Sequence, residues 1–247
     1  MIPLKSEEEL RELKDSGRIL AKVMRELANS VKPGVTTLEL DGLAEKLVRA
    51  EEALPAFKGY RGFPATLCTS INEEIVHGIP SDRRLAEGDI IGIDLGVNYR
   101  GYFSDAAITL AIGRVAPEIN KLIDVARLAL AEGIKEAREG NHLFDISARI
   151  QRCVEDNGFS VVRQFVGHGI GRSLHEDPEV PNFGRPHEGA LLKKGMVLAI
   201  EPMVNMGGWE SEILGNGWTA VTADRLPSAH FEHTVAITEK GPEILTA

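Results

Sequence analysis

The sequence has few cysteines and no long apolar run. Its 247 residues include two cysteines, Cys68 and Cys153, which form no CxxC pair, so we expect neither a disulfide scaffold nor a structural zinc site. No apolar stretch approaches the roughly 20 residues of a membrane helix. The N-terminus, Met-Ile-Pro-Leu-Lys-Ser, also lacks the apolar core of a signal peptide. We therefore expect a cytoplasmic protein with no membrane partner.

Basic residues are also in deficit. Lysine and arginine total 28 against 37 acidic residues, which gives a net charge of −9 and argues against nucleic acid as a partner. Hydrophobic residues make up 43% and charged residues 26%, as is typical of a soluble globular enzyme. The length allows one large domain or two small ones. We expect a single catalytic domain over residues 1–247.

Hydrophobic periodicity predicts an α+β fold in which helices cover a largely antiparallel sheet. A capping box at Ser6 and Glu9 predicts a first helix that ends at Pro33-Gly34. Further helices are predicted over about 38–53, 117–139 and 146–157, strands over about 85–97 and 102–112, and mostly strands beyond 159.

A weak internal repeat relates the two halves of the chain. The segment 88–94 resembles 195–201, and 34–48 resembles 140–154. Two similar halves would place Asp94 and Glu201 at equivalent positions about a pseudo-twofold axis. The alternative is chance similarity between amphipathic segments.

Two aspartates flank a predicted hairpin turn, Asn98-Tyr99-Arg100-Gly101. A turn centred on Tyr99 and Arg100 would place Asp94 directly opposite Asp105, with Cβ atoms about 4.5–5.5 Å apart. Carboxylates so close in an apolar hairpin require a cation or a shared proton. A pair of divalent ions would fit this spacing. Two solvated carboxylates, or an aspartic-protease-like dyad, are the alternatives.

One histidine and two glutamates stand in unusual surroundings. His168 lies within Gly167-His168-Gly169-Ile170-Gly171, where we expect the glycines to turn the backbone and expose the imidazole; the alternative is a surface loop. Glu201 interrupts an apolar run, and Glu232 precedes another. Asn216-Gly217 lies midway between them and predicts a turn that returns Glu232 beside Glu201. Oxygen-rich ligands of this kind suit Mn²⁺, Fe²⁺ or Co²⁺.

The remaining histidines carry weaker signals. By strand alternation, His233 points away from Glu232, so we do not count it as a ligand. We expect His142, His187 and His230 to lie on the surface.

These motifs together resemble the methionine aminopeptidases over essentially the whole chain. The matching segments are Asp94-Leu95-Gly96, Gly101-Tyr102 with Asp105, the glycine-flanked His168, Glu201-Pro202-Met203 and Phe231-Glu232-His233-Thr234. The resemblance implies the pita-bread (creatinase/aminopeptidase) fold and two-metal hydrolysis that removes the first methionine before a small second residue. Only about thirty residues separate Glu201 from Glu232, which indicates the type 1, bacterial-like form.

The resemblance also implies residue roles. Asp94, Asp105 and Glu232 would hold one metal, and His168, Glu201 and Glu232 the other, with Asp105 and Glu232 bridging. Water activated by the metals would attack the scissile carbonyl. Glu201 would shuttle a proton, His175 would stabilise the oxyanion, and His77 would contact the scissile amide.

The implied methionine pocket combines aromatic rings with sulfur. Its residues would be Tyr60, Phe63, Cys68, His77 and Trp218, joined by His175; ordinary core packing is the alternative for Phe63 and Cys68. Phe57 and Leu174 depart from the usual pattern, with Phe57 standing where a smaller residue is common and Leu174 where an aromatic one is.

Two other functions fit the same motifs. Prolidases and Xaa-Pro aminopeptidases share fold and ligands but usually carry an N-terminal domain and a different sequence around the last glutamate. A non-catalytic binding protein would be expected to lose ligands, which are all present here. The favoured reading also implies a monomer that acts on nascent chains, with a transient ribosome contact that the net charge of −9 does not support.

Overall fold

The computed structural model describes residues 2–247 and contains four α-helices and fifteen short or long strands within that range. The helices are α1 (Glu7–Ser30), α2 (Thr37–Ala50), α3 (Pro117–Glu136) and α4 (Leu143–Glu155). The strands are β1 (Leu54–Pro55), β2 (Leu67–Ile71), β3 (Glu74–Val76), β4 (Ile90–Tyr99), β5 (Tyr102–Ala111), β6 (Ser160–Val161), β7 (Gly167–Gly169), β8 (Glu176–Val180), β9 (Val197–Ile200), β10 (Met203–Asn205), β11 (Ser211–Ile213), β12 (Ala220–Thr222), β13 (Ser228–His230), β14 (Glu232–Thr238) and β15 (Gly241–Ile244).

Local capping explains where the first helices begin. The capping box predicted at the start of α1 is present: the Ser6 hydroxyl accepts from the Glu9 N–H at 3.2 Å, and the Glu9 carboxylate accepts from the Ser6 N–H at 3.0 Å. Thr36 and Glu39 form the same motif before α2. None of the helices over residues 2–247 has the length and apolar character needed to cross a membrane.

A nine-stranded antiparallel sheet forms the centre of the molecule. Its order is β1-β4-β5-β14-β9-β7-β8, with β15 on β14 and β2 on β4. The central pair β5 and β14 is flanked by β4 and β9, so the strand order is symmetric about the middle of the sheet. Asp94 on β4 and Glu201 directly after β9 therefore occupy equivalent positions, as the internal repeat predicts.

The helices divide the core in the same way. Buried residues of α1 and α2, such as Leu20, Leu27 and Leu40, pack in one cluster with β4. Buried residues of α3 and α4, such as Leu122 and Ile150, pack in a second cluster with β9 and β14. Each helix pair therefore covers its own half of the sheet.

The β4–β5 hairpin turns one residue later than predicted. Tyr99 pairs with Tyr102, so the turn is Arg100-Gly101, and both residues have left-handed φ angles, 53° and 82°. That combination is the type I′ turn favoured in two-residue hairpins. Asp94 therefore faces Ala107, not Asp105. The shift amounts to two residues across the ladder, so both aspartates still project from the same face of the sheet.

Strand β4 also begins later than predicted. The chain first turns at Gly88, whose φ is 94°, and the Asp89 carboxylate accepts from the Ala86 N–H at 2.9 Å. The turn leaves residues 85–87 outside the ladder, whereas Gly88 and Asp89 still exchange backbone hydrogen bonds with Ile112, directly after β5. The chain reversal predicted at Asn216-Gly217 is confirmed. Ile200 pairs with His233, and Ser211 pairs with Thr222, so both pairs are centred on that dipeptide.

Candidate metal centre

One pocket in the middle of the sheet brings together every residue that the resemblance assigns to the site. The five implied metal ligands and the implied substrate contacts share its wall, along with three further side chains. The lining residues are Phe57, Tyr60, Arg61, Phe63, Cys68, His77, Asp94, Asp105, His168, Leu174, His175, Glu201, Trp218 and Glu232.

Four carboxyl groups meet here without enough partners. Asp105 and Glu232 are 4% and 2% exposed, and one oxygen each of Asp94, Asp105 and Glu232 is buried with no hydrogen-bond donor. Buried polar atoms are normally paired, so three unpaired carboxylate oxygens that line one pocket fit the binding of a cation.

Burial shapes the protonation of this cluster in the metal-free protein. It raises the pKa of Asp94 to about 7, against an opposing hydrogen bond with Asp105. Burial, together with repulsion from neighbouring carboxylates, also raises the pKa of Asp105, Glu201 and Glu232 well above the ordinary range. A bound cation would lower these pKa values, because a nearby positive charge favours the carboxylate form.

His168 presents one ring nitrogen to the carboxylates. Its Nδ1 lies 2.9 Å from the Gly169 carbonyl, which can only accept, so Nδ1 carries the proton and Nε2 keeps a free lone pair. Nε2 lies 3.6 Å from Glu201 Oε1 and 3.9 Å from Asp105 Oδ2. Burial lowers the pKa of His168 to about 4, which keeps the ring neutral and able to ligate a metal.

The glycines around His168 have a different purpose from the one expected. They neither turn the backbone nor expose the ring, because β7 is paired on both sides, with β8 and β9, and His168 is 7% exposed. A Cβ at Gly167 would lie 2.3 Å from the Ala199 carbonyl oxygen, and one at Gly169 would lie 2.1 Å from that of Asp177. The glycines allow the neighbouring strands to approach His168 closely.

The donor set fits a metal. Ligand atoms of Asp105, His168 and Glu232 all lie within 4.8 Å of one another. The distances of 3.6 and 3.9 Å from His168 Nε2 are too long for hydrogen bonds. They are near the separation of about 3.0–3.4 Å between two ligands on one ion with bonds of about 2.1 Å. Carboxylate oxygens and one imidazole suit Mn²⁺, Fe²⁺ or Co²⁺.

His175 lies at the mouth of the pocket. Its Nδ1 is 2.9 Å from the Tyr60 hydroxyl, the two rings stack at 5.2 Å, and its ring centroid lies 4.1 Å from that of His168. Partial burial, followed by the proximity of His168, lowers the pKa of His175, so the ring is neutral at pH 7. With the tyrosine hydroxyl donating to Nδ1, the Nε2–H remains free to donate to a substrate.

The opposite wall is apolar. Phe63 and Trp218 meet edge to face at 5.2 Å, and His77 lies edge-on to Trp218 at 6.5 Å. Burial raises the pKa of the Cys68 thiol, which therefore stays protonated as a small apolar group. Phe57 packs over Gly96, where a Cβ would lie 2.6 Å from its ring, so the glycine makes room for the larger side chain.

Two features of the site were missed by the sequence analysis. His230, expected on the surface, is 4% exposed, and its Nε2 lies 3.7 Å from Glu201 Oε2. His230 ends β13 and Glu232 begins β14, so strand alternation counted from Glu232 does not extend to His230 and the sequence carries no signal for its burial. Arg61 also lines the pocket, on a short turn that carries no motif.

Comparisons with known proteins agree with this arrangement. Residues 11–239 match metallopeptidase family M24. A curated relative, "Methionine aminopeptidase" of Clostridium perfringens (strain 13 / Type A), is 53% identical over 246 residues, covering 100% of this chain and 99% of the relative. The chain belongs to metallopeptidase family M24. Members of M24 are metal-dependent peptidases, so the chain is a metallopeptidase that uses divalent metal.

Solved structures of other peptidases match the fold. The crystal structure of methionine aminopeptidase from Rickettsia prowazekii matches with a TM-score of 0.99 at 39% identity, covering 100% of both chains. A prolidase from Pyrococcus horikoshii OT3 matches with a TM-score of 0.81 at 23% identity, covering 99% of this chain and 63% of that one. At that identity the second match shows the shared pita-bread fold alone.

Proposed function

We propose that the chain removes the N-terminal methionine from nascent proteins and peptides, with a preference for a small second residue. The observation that carries the proposal is one pocket with two unlike walls. Orphaned carboxylate oxygens and His168 form one wall, and aromatic rings with Cys68 form the other. The first wall suits metal-assisted hydrolysis and the second an unbranched thioether side chain. Relatives named "Methionine aminopeptidase" support the same assignment.

We propose two divalent ions, Mn²⁺, Fe²⁺ or Co²⁺, held by the five ligands. Asp94, Asp105 and Glu232 would hold one, and His168 with Glu201 would complete the other, Asp105 and Glu232 bridging. The ions would activate a water and polarise the scissile carbonyl. The three orphaned oxygens of the aspartates and Glu232 support this division, because each lacks any other partner in the described chain.

Glu201 would transfer the proton that hydrolysis must move from water to the leaving amine. In the metal-free protein, burial, followed by repulsion from Asp105 and Asp94, raises its pKa well above 4.5. A bound cation would favour the carboxylate form, which could take a proton from water and pass it to the leaving amine. His230 Nε2, 3.7 Å from Glu201 Oε2, limits where that carboxyl can move.

His175 and His77 would contact the peptide itself. The neutral His175 ring would donate its Nε2–H to the developing oxyanion, with Tyr60 holding Nδ1 at 2.9 Å. His77 follows β3 with a left-handed φ of 60°, and its ring lies edge-on to Trp218 at 6.5 Å, from where it would contact the scissile amide. Tyr60, Phe63, Cys68 and Trp218 would enclose the methionine side chain.

The wider setting follows the same proposal. We propose that residues 1–247 act as one catalytic domain, as a monomer in the cytoplasm that meets nascent chains with at most a transient ribosome contact. One sheet shared by both halves supports a single domain. The net charge of −9 favours neither nucleic acid nor an anionic membrane as a partner.

The proposal is tested by peptide hydrolysis. Metal-stripped protein, reconstituted with Mn²⁺, Co²⁺ or Fe²⁺, is assayed on Met-Ala-Ser, Met-Leu-Ser and Ala-Pro-Ser. We expect metal-dependent release of methionine, faster from Met-Ala-Ser than from Met-Leu-Ser, and no cleavage of Ala-Pro-Ser. Cleavage of Ala-Pro-Ser alone would assign an Xaa-Pro aminopeptidase activity, and no cleavage with metal bound would assign a binding role.

A matched pair of variants links the activity to the pocket. Glu201→Gln removes the proposed proton carrier while keeping the shape of the side chain, and Glu210→Gln makes the same change at an exposed position. We expect Glu201→Gln to lose at least about 100-fold in kcat, because general acid–base catalysis contributes about 10²–10⁴-fold. Equal activity in both variants would remove Glu201 from the reaction.

A further inference from the structure

Outside the pocket, a second group of metal-ligating side chains lies at the start of α4. Ligand atoms of His142, Asp145 and His187 all lie within 4.8 Å of one another. We propose that these three residues, the His142 cluster, bind one divalent metal ion that prefers imidazole ligands, such as Zn²⁺. The bound ion would hold residues 181–196 against α4. None of the three lines the pocket described above.

The cluster joins two segments that the backbone already holds together. The Leu143 N–H donates to the Ala190 carbonyl at 2.8 Å, and the Phe144 N–H donates to the Glu188 carbonyl at 3.1 Å. Asp145 completes the junction, because its Oδ1 accepts from the His187 N–H at 2.8 Å and its Oδ2 from the His142 N–H at 2.7 Å. The backbones that carry the ligands are therefore fixed before any metal binds.

The geometry is close to that of a metal site. His187 Nδ1 lies 3.3 Å from Asp145 Oδ1. Two ligands on a tetrahedral ion with bonds of about 2.1 Å are separated by about 3.4 Å. The two imidazole rings lie 6.5 Å apart at an angle of 82°. The side chain of His187 is 84% exposed, so it can rotate to close the third edge, and water can fill a fourth position.

The charges also favour a cation here. Asp145 is 11% exposed as a side chain, and within residues 2–247 no lysine or arginine forms an ion pair with it. The α4 dipole opposes a cation at this end, and the nearby Asp145 carboxylate counteracts that effect. Two imidazoles with one carboxylate select Zn²⁺, Ni²⁺ or Cu²⁺ over Mg²⁺ or Ca²⁺.

The test counts ions on metal-stripped protein by equilibrium dialysis against Zn²⁺, followed by elemental analysis. The variant His142→Asn with His187→Asn removes both imidazoles but keeps the backbone supported. Asparagine is a good helix N-cap residue, and it tolerates the left-handed φ of 66° at position 187. We expect this variant to bind one Zn²⁺ fewer per chain than the wild type. Glu188→Gln, a change beside the cluster, should leave the count unchanged.

A variant with a disabled pocket distinguishes Zn²⁺ binding at the His142 cluster from metal binding in the proposed catalytic site. The variant Asp105→Asn with Glu232→Gln removes two ligands from the pocket, and we expect it still to bind one Zn²⁺. This Zn²⁺ should raise the melting temperature of the variant. Adding His142→Asn and His187→Asn to it should abolish both the binding and the rise in melting temperature. The histidine variant should keep full methionine-releasing activity, which also reports that it is folded. Equal Zn²⁺ counts with and without the two histidines would overturn the proposal, whatever the peptidase assay shows. If the double variant fails to fold, His187→Asn alone is used, since that side chain is exposed.

Discussion

Replacing Asp94 with asparagine should stabilise the protein when metal is absent. Burial raises the pKa of Asp94 from 3.8 to about 7, so the folded protein binds this proton more tightly than the unfolded chain does. Below about pH 4 Asp94 is protonated in both states and does not lower the free energy of unfolding. Its ionisation lowers that free energy increasingly as the pH rises to about 7. At about 1.4 kcal/mol per pH unit, the full cost is about 4 kcal/mol.

The expected gain is smaller than that cost. Asp94 borders the pocket, where water screens part of its charge, and a buried amide without full hydrogen bonding costs about 1–3 kcal/mol. We expect Asp94→Asn to raise the free energy of unfolding by about 1–3 kcal/mol at pH 7.5 in chelator, and by less than about 1 kcal/mol at pH 4.5. Mn²⁺ should reverse the order, because only the wild type gains from full ligation.

Urea unfolding followed by tryptophan fluorescence measures these differences. Asp82→Asn, which removes an exposed carboxylate, serves as the control and should change stability little at either pH. A gain that is equal at pH 4.5 and pH 7.5 would refute the reasoning, because it would reflect packing and not charge. So would a loss of stability in chelator at pH 7.5.

Three further predictions test other parts of the structure. Metal binding to stripped protein at pH 7 should release more than one proton per chain, because the four pocket carboxyls have raised pKa values. Calorimetry in buffers of different ionisation enthalpy measures the number of protons released. Release of almost no protons would show that the carboxyls have ordinary pKa values. His175→Ala should lower kcat/KM by about 100- to 1,000-fold while the metal content stays unchanged, and a parallel loss of metal would contradict its role as an oxyanion donor. Gly167→Ala should lower the free energy of unfolding in urea by about 1–3 kcal/mol, because the new Cβ would lie 2.3 Å from the Ala199 carbonyl oxygen. An unchanged free energy of unfolding would show that β7 can shift to make room for the methyl group.

Sequence patterns predicted the features that depend on local chemistry. The capping box at Ser6 set the start of α1, and Asn216-Gly217 set the register that returns Glu232 beside Glu201. The internal repeat predicted equivalent positions for Asp94 and Glu201, and β4 and β9, which lead to them, flank the central pair β5 and β14. Each of these signals lies in a few neighbouring residues, or in a match between two segments of the chain.

Features that depend on tertiary packing were harder to predict. The hairpin register moved because Arg100 adopts a left-handed conformation, which few residues other than glycine, asparagine or aspartate favour. The glycines beside His168 were interpreted as a turn, although close contacts with β8 and β9 require them. His230 was placed on the surface because nothing near it in the sequence shows that it packs against Glu201.

The central claim is that the five ligands hold divalent ions inside the pocket, and anomalous diffraction from crystals of the Mn²⁺-loaded protein tests it most directly. We predict two peaks in the pocket, one bounded by Asp94, Asp105 and Glu232 and the other by His168, Glu201 and Glu232, with ligand distances of about 2.0–2.3 Å. A pocket without anomalous density, in crystals that carry Mn²⁺ elsewhere, would contradict the account.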